Sequence, residues 1–211
     1  VRNVGRVAKV INEAKPDVVA VQEVDSVTGR SEQTDVLGLL ATETQMYPTY
    51  AAAIDYDGGK YGVGILSREE PLSYYSIPLP GREEQRVLLV VEFDHYLFAC
   101  THLSLTEEDR LRSLPLLNQE AAKANKPLFI AGDWNATPNS SFIGELRQSF
   151  TLLSDPGQLT FPADTPNRTL DYVAIYRTKD LAVNVKSTQV VDEPMASDHR
   201  PVVVELTLTA K

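Results

Sequence analysis

Five short apolar runs in this chain end in, or start from, a group that can ligate a cation or move a proton. Gln22-Glu23 follows Val18–Val21, Thr101-His102 follows Leu97–Cys100, and Gly132-Asp133-Trp134-Asn135 follows Leu128–Ala131. Asp171 precedes Tyr172–Ile175, and Ser197-Asp198-His199 precedes Val202–Val204. Strand ends hold side chains rigidly while the adjoining loops leave room for a ligand. Singly, each has an ordinary reading: Glu23 as a solvated cap, Gly132–Asn135 as a β-turn, Ser197-Asp198 as a turn before Pro201. Together they supply carboxylates, imidazoles and an amide, a set able to hold a hard cation, shuttle protons and hydrogen-bond an anion. Asp133 and Asn135 alternate on one extended stretch, so both side chains face the same way. Two other hydrolytic chemistries lack their signatures. No Gly-x-Ser-x-Gly elbow is present, and three scattered histidines with one cysteine offer no zinc-ligand spacing.

The segments that must place these groups mix helix and strand throughout. Val4, Val7, Ala8, Val10, Ile11 and Ala14 recur at helical spacing, and Pro16 stops the helix. Asp17–Gln22 reads as a short strand buried on both faces. Asp35–Thr44 reads as a second helix, and the turn Asp57-Gly58-Gly59-Lys60 leads into a strand at Tyr61–Ser67. Val87–Phe93 and Tyr96–Thr101 predict a hairpin around Asp94-His95, with His95 solvated. Glu107–Asn125 reads as a helix in which Pro115 makes a kink or an early break. A strand at Leu128–Ala131, a short helix at Ser141–Gln148, and strands at Leu170–Tyr176, Ala182–Val191 and Val202–Leu208 complete the chain. Strands outnumber helices and interleave with them, which suggests an α/β sandwich with sheets inside and helices outside.

The 211 residues suffice for one domain spanning 1–211 with a real core. A composition 43% hydrophobic and 23% charged excludes a disordered chain. No run approaches the roughly 18 apolar residues of a membrane-spanning helix. The lone Cys100 excludes an intrachain disulfide but does not fix the compartment. The chain opens at Val1 without a methionine, so a removed leader and a secreted or periplasmic location stay open. A monomer is expected. The net charge of −9 and pI near 4.9 weigh against a protein that grips polyanions by charge alone. They do not weigh against an enzyme in which a metal cation neutralises phosphate.

The ordered series Gln22-Glu23, Tyr61-Gly62-Val63-Gly64-Ile65-Leu66-Ser67-Arg68, Thr101-His102-Leu103, Gly132-Asp133-Trp134-Asn135, Leu170-Asp171-Tyr172 and Ser197-Asp198-His199-Arg200-Pro201 resembles the endonuclease/exonuclease/phosphatase superfamily. That superfamily includes deoxyribonuclease I, exonuclease III, inositol polyphosphate 5-phosphatases and neutral sphingomyelinases. The resemblance runs from about residue 4 to residue 208. It implies a four-layer α/β sandwich with two mixed sheets flanked by helices, and Mg²⁺- or Mn²⁺-dependent cleavage of phosphate esters. It implies Glu23 as the main metal ligand, with Asp198 as a second. Asp133 is implied to orient or activate the attacking water, and Asn135 and His102 to meet the phosphate. Asp171 is implied to hold His199, which stabilises the pentacovalent phosphorus or donates a proton. Arg86 aligns weakly with an arginine that binds substrate phosphate, and Tyr61 is placed to line the pocket.

The resemblance also has gaps. Family members begin with a strand ending in an asparagine near the metal, whereas this chain opens almost directly on a helix. Asn3 has no strand before it, so the missing first strand is expected upstream of Val1. Lys60 stands near where deoxyribonuclease I has a carboxylate that orients the second histidine. The loops Asp25–Asp35, Ser73–Glu84 and Ser154–Arg168 are the expected specificity elements, and none carries a basic cluster. The expected activity is that of a metal-dependent phosphodiesterase or nuclease. The alternatives are a lipid or sugar phosphate phosphoesterase, similar to the phosphoinositide phosphatases and sphingomyelinases, and a binding module that kept the fold without catalysis. No apolar hairpin suited to membrane insertion is present, which weakens the sphingomyelinase alternative.

Overall fold

Asn3 caps the first helix: its side-chain oxygen accepts from Arg6 N at 3.1 Å, satisfying one of the otherwise unpaired N-terminal donors. The computed structural model describes residues 3–30 and 35–210. Helix α1 (Val4–Ala14) is followed by β1 (Val18–Ser26), α2 (Val36–Thr44), and the hairpin β2 (Tyr47–Tyr56) and β3 (Gly59–Ser67). Next come β4 (Ser73–Leu79), β5 (Arg86–Glu92), β6 (Leu97–Thr101), α3 (Glu107–Lys123) and β7 (Leu128–Asp133). The chain closes through α4 (Ser141–Leu146), β8 (Phe150–Leu152), β9 (Asp171–Tyr176), β10 (Leu181–Val190) and β11 (Val202–Ala210). Helix α3 runs unbroken through Pro115. His95 is exposed in the turn between β5 and β6. Of the expected Asp25–Asp35 loop, Asp25 and Ser26 belong to β1, and residues 31–34 lie outside the described residues.

The strands form two layers. One is a six-stranded mixed sheet in the order β4-β5-β6-β7-β9-β8, in which β6 and β7 are parallel and joined through α3. The other is two antiparallel ladders, β1-β3-β2 and β10-β11. Strands β1, β2 and β3 lie across β4 to β7, and β11 lies against β9. Val63, Ile65, Leu89, Val91, Phe98, Cys100 and Phe129 fill the space between the layers. Helices α1 and α2 cover the outer face of the three-stranded ladder, packing Ala8, Ile11, Leu37 and Leu40 on Val21 and Leu66. Helices α3 and α4 cover the six-stranded sheet with Leu114, Leu117, Phe142 and Ile143. Each fully buried side chain of this size contributes about 1.5–3 kcal/mol. The result is the four-layer sandwich that the resemblance implies, with one difference: among the described residues only the six-stranded sheet is mixed, and the second layer is antiparallel.

Three strands were not legible in the residue pattern. β2 and β4 are edge strands that carry Pro48 and Pro78, and β8 is only three residues long. Proline is tolerated at sheet edges, where its missing donor costs no ladder bond. The expected loop Ser73–Glu84 is therefore a strand over its first seven residues, and only its end is free to border a site.

The topology decides where the chemistry lies. The carboxyl ends of parallel β6 and β7 bring Thr101-His102 and Asp133 to one edge. Strand β9 runs antiparallel to β7 in a register that sets Asp171 directly opposite Asp133. Gly132 permits this closure. Its φ is +146°, and an added Cβ would lie 2.0 Å from the Thr101 carbonyl oxygen. Gly132→Ala is therefore expected to cost about 2–4 kcal/mol of stability. A denaturant-unfolding midpoint unchanged from that of the parent chain would contradict this.

Candidate active site

Two carboxylates directly opposite on neighbouring strands repel each other unless a cation lies between them. His199 supplies it. Its Nδ1 lies 2.8 Å from Asp171 Oδ2 and its Nε2 lies 3.4 Å from Asp133 Oδ2. His102 approaches from the other side, with Nε2 at 3.3 Å from the same Asp133 oxygen. Asp133 is 4% exposed, so these charges interact with little screening by water. Burial pushes Asp133 up, but the His102 hydrogen bond, the charges of both imidazoles and the Asn135 N–H outweigh it and hold it below the usual carboxylate range. Burial raises Asp171, with the neighbouring Asp133 adding to the effect and the His199 hydrogen bond opposing it. His199 loses solvation too, yet Asp171, Asp133 and Asp198 together raise its pKa to about 9. His199, raised to about 9, holds the proton on the imidazole at neutral pH; Asp133, below its usual range, acts with it, while the burial of Asp171 acts against it.

Asn135 turns into the same space. Its φ is +49°, its backbone N–H donates to Asp133 Oδ1 at 3.0 Å, and its side-chain amide donates to the Leu103 carbonyl at 2.8 Å. Trp134 between them points the other way, into the core, where it stacks on Tyr172 with ring centres 4.9 Å apart. The one extended stretch expected from the sequence is not what forms: β7 ends at Asp133, and the left-handed turn at Asn135, not strand alternation, returns its side chain toward Asp133.

Glu23 sits in a β-bulge. The β1–β3 register steps from Val21↔Gly64 to Val24↔Gly62, which inserts one extra residue on β1, and Glu23 takes φ +55°. Bulges re-aim side chains next to active sites. Tyr61 Oη donates to Glu23 Oε1 at 3.2 Å. Burial, then the Glu23 carboxylate, raise the Tyr61 pKa and keep the phenol protonated as that donor. Gln22, the other bulge residue, reaches Cys100 Sγ on β6 at 3.4 Å, one strand from Asp133.

The remaining sequence candidates divide. Asp198 is exposed, with its carboxylate accepting from Ser197 Oγ at 3.3 Å, and its charge acts on His199. Arg86 is 5% exposed and its guanidinium is bound by Glu83 at 3.0 Å and Glu84 at 3.3 Å. Glu83 also accepts from Leu105 N and Ser104 Oγ, so Arg86 braces the segment that follows His102. Lys60 pairs with Asp55 at the exposed tip of the β2–β3 hairpin, and the carboxylate facing His102 is Asp133 itself.

The loop before β9 supplies two side chains that the sequence did not single out. Thr160, 1% exposed, accepts from Leu170 N at 3.0 Å, and its hydroxyl bonding favours the ionised form of Asp171. The Phe161 ring packs on His199 with centres 4.6 Å apart. Neither lies in a periodic segment, and no residue pattern pointed to them.

One donor atom each from Asp133, Asp171 and His199 lie within 4.8 Å of one another, a spacing that a metal ion could bridge. The protonated His199 and its bond to Asp171 already use those atoms, which fits a hydrogen-bonded dyad better than a metal cage. Glu23 and Asp198 offer carboxylate oxygens, the donors that hard divalent cations prefer.

A family model described as the endonuclease/exonuclease/phosphatase family matches residues 3–199. The chain belongs to that family. A family member from Bacteroides vulgatus is similar in structure at TM-score 0.79 and 18% identity, over 98% of this chain and 90% of that one. A mannosyl-6-phosphatase from Bacteroides thetaiotaomicron is similar at TM-score 0.79 and 14% identity, over 97% and 90%. The TDP2 protein of D. rerio, complexed with single strand DNA product, is similar at TM-score 0.75 and 16% identity, over 97% and 91%. At these identities the likeness is one of fold. None of the curated proteins matches the chain. Among the described residues of this family member, no helix is long and apolar enough to cross a membrane.

Proposed function

We propose that the chain hydrolyses phosphate esters with the help of Mg²⁺ or Mn²⁺, as a phosphodiesterase or nuclease. The observation that carries this reading is Asp133, a buried carboxylate kept ionised between two imidazoles, one of them clamped by Asp171. Such a group orients a water and accepts its proton as the water attacks phosphorus. Asn135 gives one amide hydrogen to Leu103, and its other amide hydrogen is assigned to a phosphoryl oxygen. Protonated His199 faces the same space, and so does His102. His199 stabilises the charge of the pentacovalent phosphorus and gives its proton to the departing oxygen as the ester bond breaks. Asp171 fixes the ring so that Nε2 is the atom presented to the phosphate. Tyr61 holds Glu23, and Arg86 holds the segment beyond His102 through Glu83.

Glu23 and Asp198 would hold the metal, which when bound polarises the phosphoryl oxygens and offsets their charge. The deciding experiment is a panel of oligonucleotides, sugar phosphates, phospholipids and bis(p-nitrophenyl) phosphate, each with Mg²⁺, with Mn²⁺ and in EDTA. At least one ester should be cleaved, with the rate falling about a hundredfold in EDTA and returning on addition of metal. Glu23→Gln should lower the rate about 10–100-fold at fixed Mg²⁺, with partial recovery at higher metal. Undiminished hydrolysis in excess chelator would remove the metal from the reading, and hydrolysis of nothing on the panel would favour a binding module.

A further inference from the structure

Arginines on the loops and strands near the site differ in what they have left to give. Arg30 is held bidentately by Asp25 at 2.7 and 2.8 Å, Arg86 by Glu83 and Glu84, and Arg200 by Asp192 at 3.1 Å. Arg168 is exposed and bonds only its neighbour, Asn167 Oδ1, at 3.2 Å; among the described residues no carboxylate pairs with it. In a chain carrying −9 net charge, an arginine without an acid partner beside a phosphate site is a distinct feature. It is also positioned. Arg168 and Phe161 form an isolated antiparallel bridge, exchanging both backbone hydrogen bonds at 3.1 Å. The Arg168 guanidinium carbon lies 4.6 Å from the centre of the Phe161 ring, the ring that packs on His199. A cation over an aromatic face keeps its outward N–H donors while losing freedom to wander. The two 4.6 Å separations set an upper limit of about 9 Å between that guanidinium and the His199 ring centre.

From this placement we infer that Arg168 is a substrate-binding residue that recognises a second phosphate flanking the scissile one. The substrate class is thus a diester or monoester bearing two neighbouring phosphoryl groups. The inference rests on the hydrolase reading above. Guanidinium pairs with phosphate through parallel N–H bonds, and His199 holds the scissile group, so Arg168 meets the flanking one. Two sources share this chemistry, a nucleotide chain and a small bisphosphate.

The test compares the dinucleotide TpT with its 5′-phosphorylated form pTpT, and a sugar monophosphate with the matching bisphosphate, in the Mg²⁺-loaded enzyme. The wild type should show a KM about tenfold lower for the member with the extra phosphate, in whichever pair it cleaves. Which pair responds identifies the source. Arg168→Gln should erase that difference by raising KM for the member with the extra phosphate to about that of the other member. Arg168→Lys should restore part of it, and the preference should shrink as salt is raised, because the cation is exposed. Calorimetric binding of pTpT and TpT in EDTA reads the same discrimination without turnover. An equal loss on both members of a pair would make Arg168 a brace for Phe161 and overturn the inference. A preference that survives Arg168→Gln would place the second phosphate elsewhere and overturn it as well. A wild type that cleaves other esters but ignores the extra phosphate would overturn this inference alone, whereas one that cleaves nothing would overturn the hydrolase reading.

Discussion

Asp133→Asn should lower the hydrolytic rate about a thousandfold or more while leaving the fold intact. The amide has nearly the shape of the carboxylate and can still accept the Asn135 N–H that now reaches Oδ1. It cannot accept a proton from water, and a positioned general base accounts for about 10²–10⁴ in rate. It also takes away the anion that lies 3.3 Å from His102 and 3.4 Å from His199. Both imidazoles then lose their shared partner, so the change reaches every step that depends on their orientation. Circular dichroism and thermal unfolding separate a chemical defect from a folding one. A folded Asp133→Asn chain that keeps a tenth of the parent rate would remove Asp133 from the chemistry.

Asp171→Asn should produce a comparable loss and, in addition, move the pH profile. His199 is raised to about 9 because Asp171, Asp133 and Asp198 outweigh its desolvation. A mechanism that needs protonated His199 is at full strength below that value and declines as pH rises through it. The asparagine carries no charge, so the raised value relaxes toward the ordinary histidine range near 6.5, and the alkaline limb of activity should shift down accordingly. Loss of the correct ring tautomer accounts for a rate reduction of about 10⁴ in a comparable Asp–His pair. The stability consequence has the same sign. The contribution of His199 protonation is present in full below about 6.5 and is lost as pH rises through about 9, so the parent should lose more stability over that interval than Asp171→Asn. An unchanged rate and an unchanged alkaline limb in the variant would make the Asp171–His199 bond structural.

The groups at strand ends were legible because their signal is local: an apolar run with a polar residue just after or just before it. His102, Asp133, Asn135, Asp171 and His199 all follow this rule, and the structure brings them together. Glu23 follows it too, but the β-bulge that re-aims it is invisible in Val18–Ser26, because nothing in those residues marks the extra position. Arg86 shows a signal of another kind. Expected from a weak alignment to bind substrate phosphate, it is bound by Glu83 and Glu84, which stand three and two residues before it and could have been weighed as its partners. β2 and β4 were lost to Pro48 and Pro78, which look like loop residues unless the strand is known to lie at an edge. Thr160 and Phe161 had no such marker, since only the folded loop carries them back to Asp171 and His199.

The chain has one tryptophan, and it sits between Asp133 and Asn135. Trp134 is fully buried and stacked on Tyr172. Its emission is therefore a spectroscopic reporter of the core beneath Asp133 and Asn135, with no second indole to dilute it. Global unfolding should move that emission to the red together with the loss of activity. Occupation of the Asp133–Asn135 strand end by an anion should change its intensity before any bond is broken. Ligand titrations and folding transitions can thus be followed on the unlabelled protein through the residue that the turn after β7 directs inward.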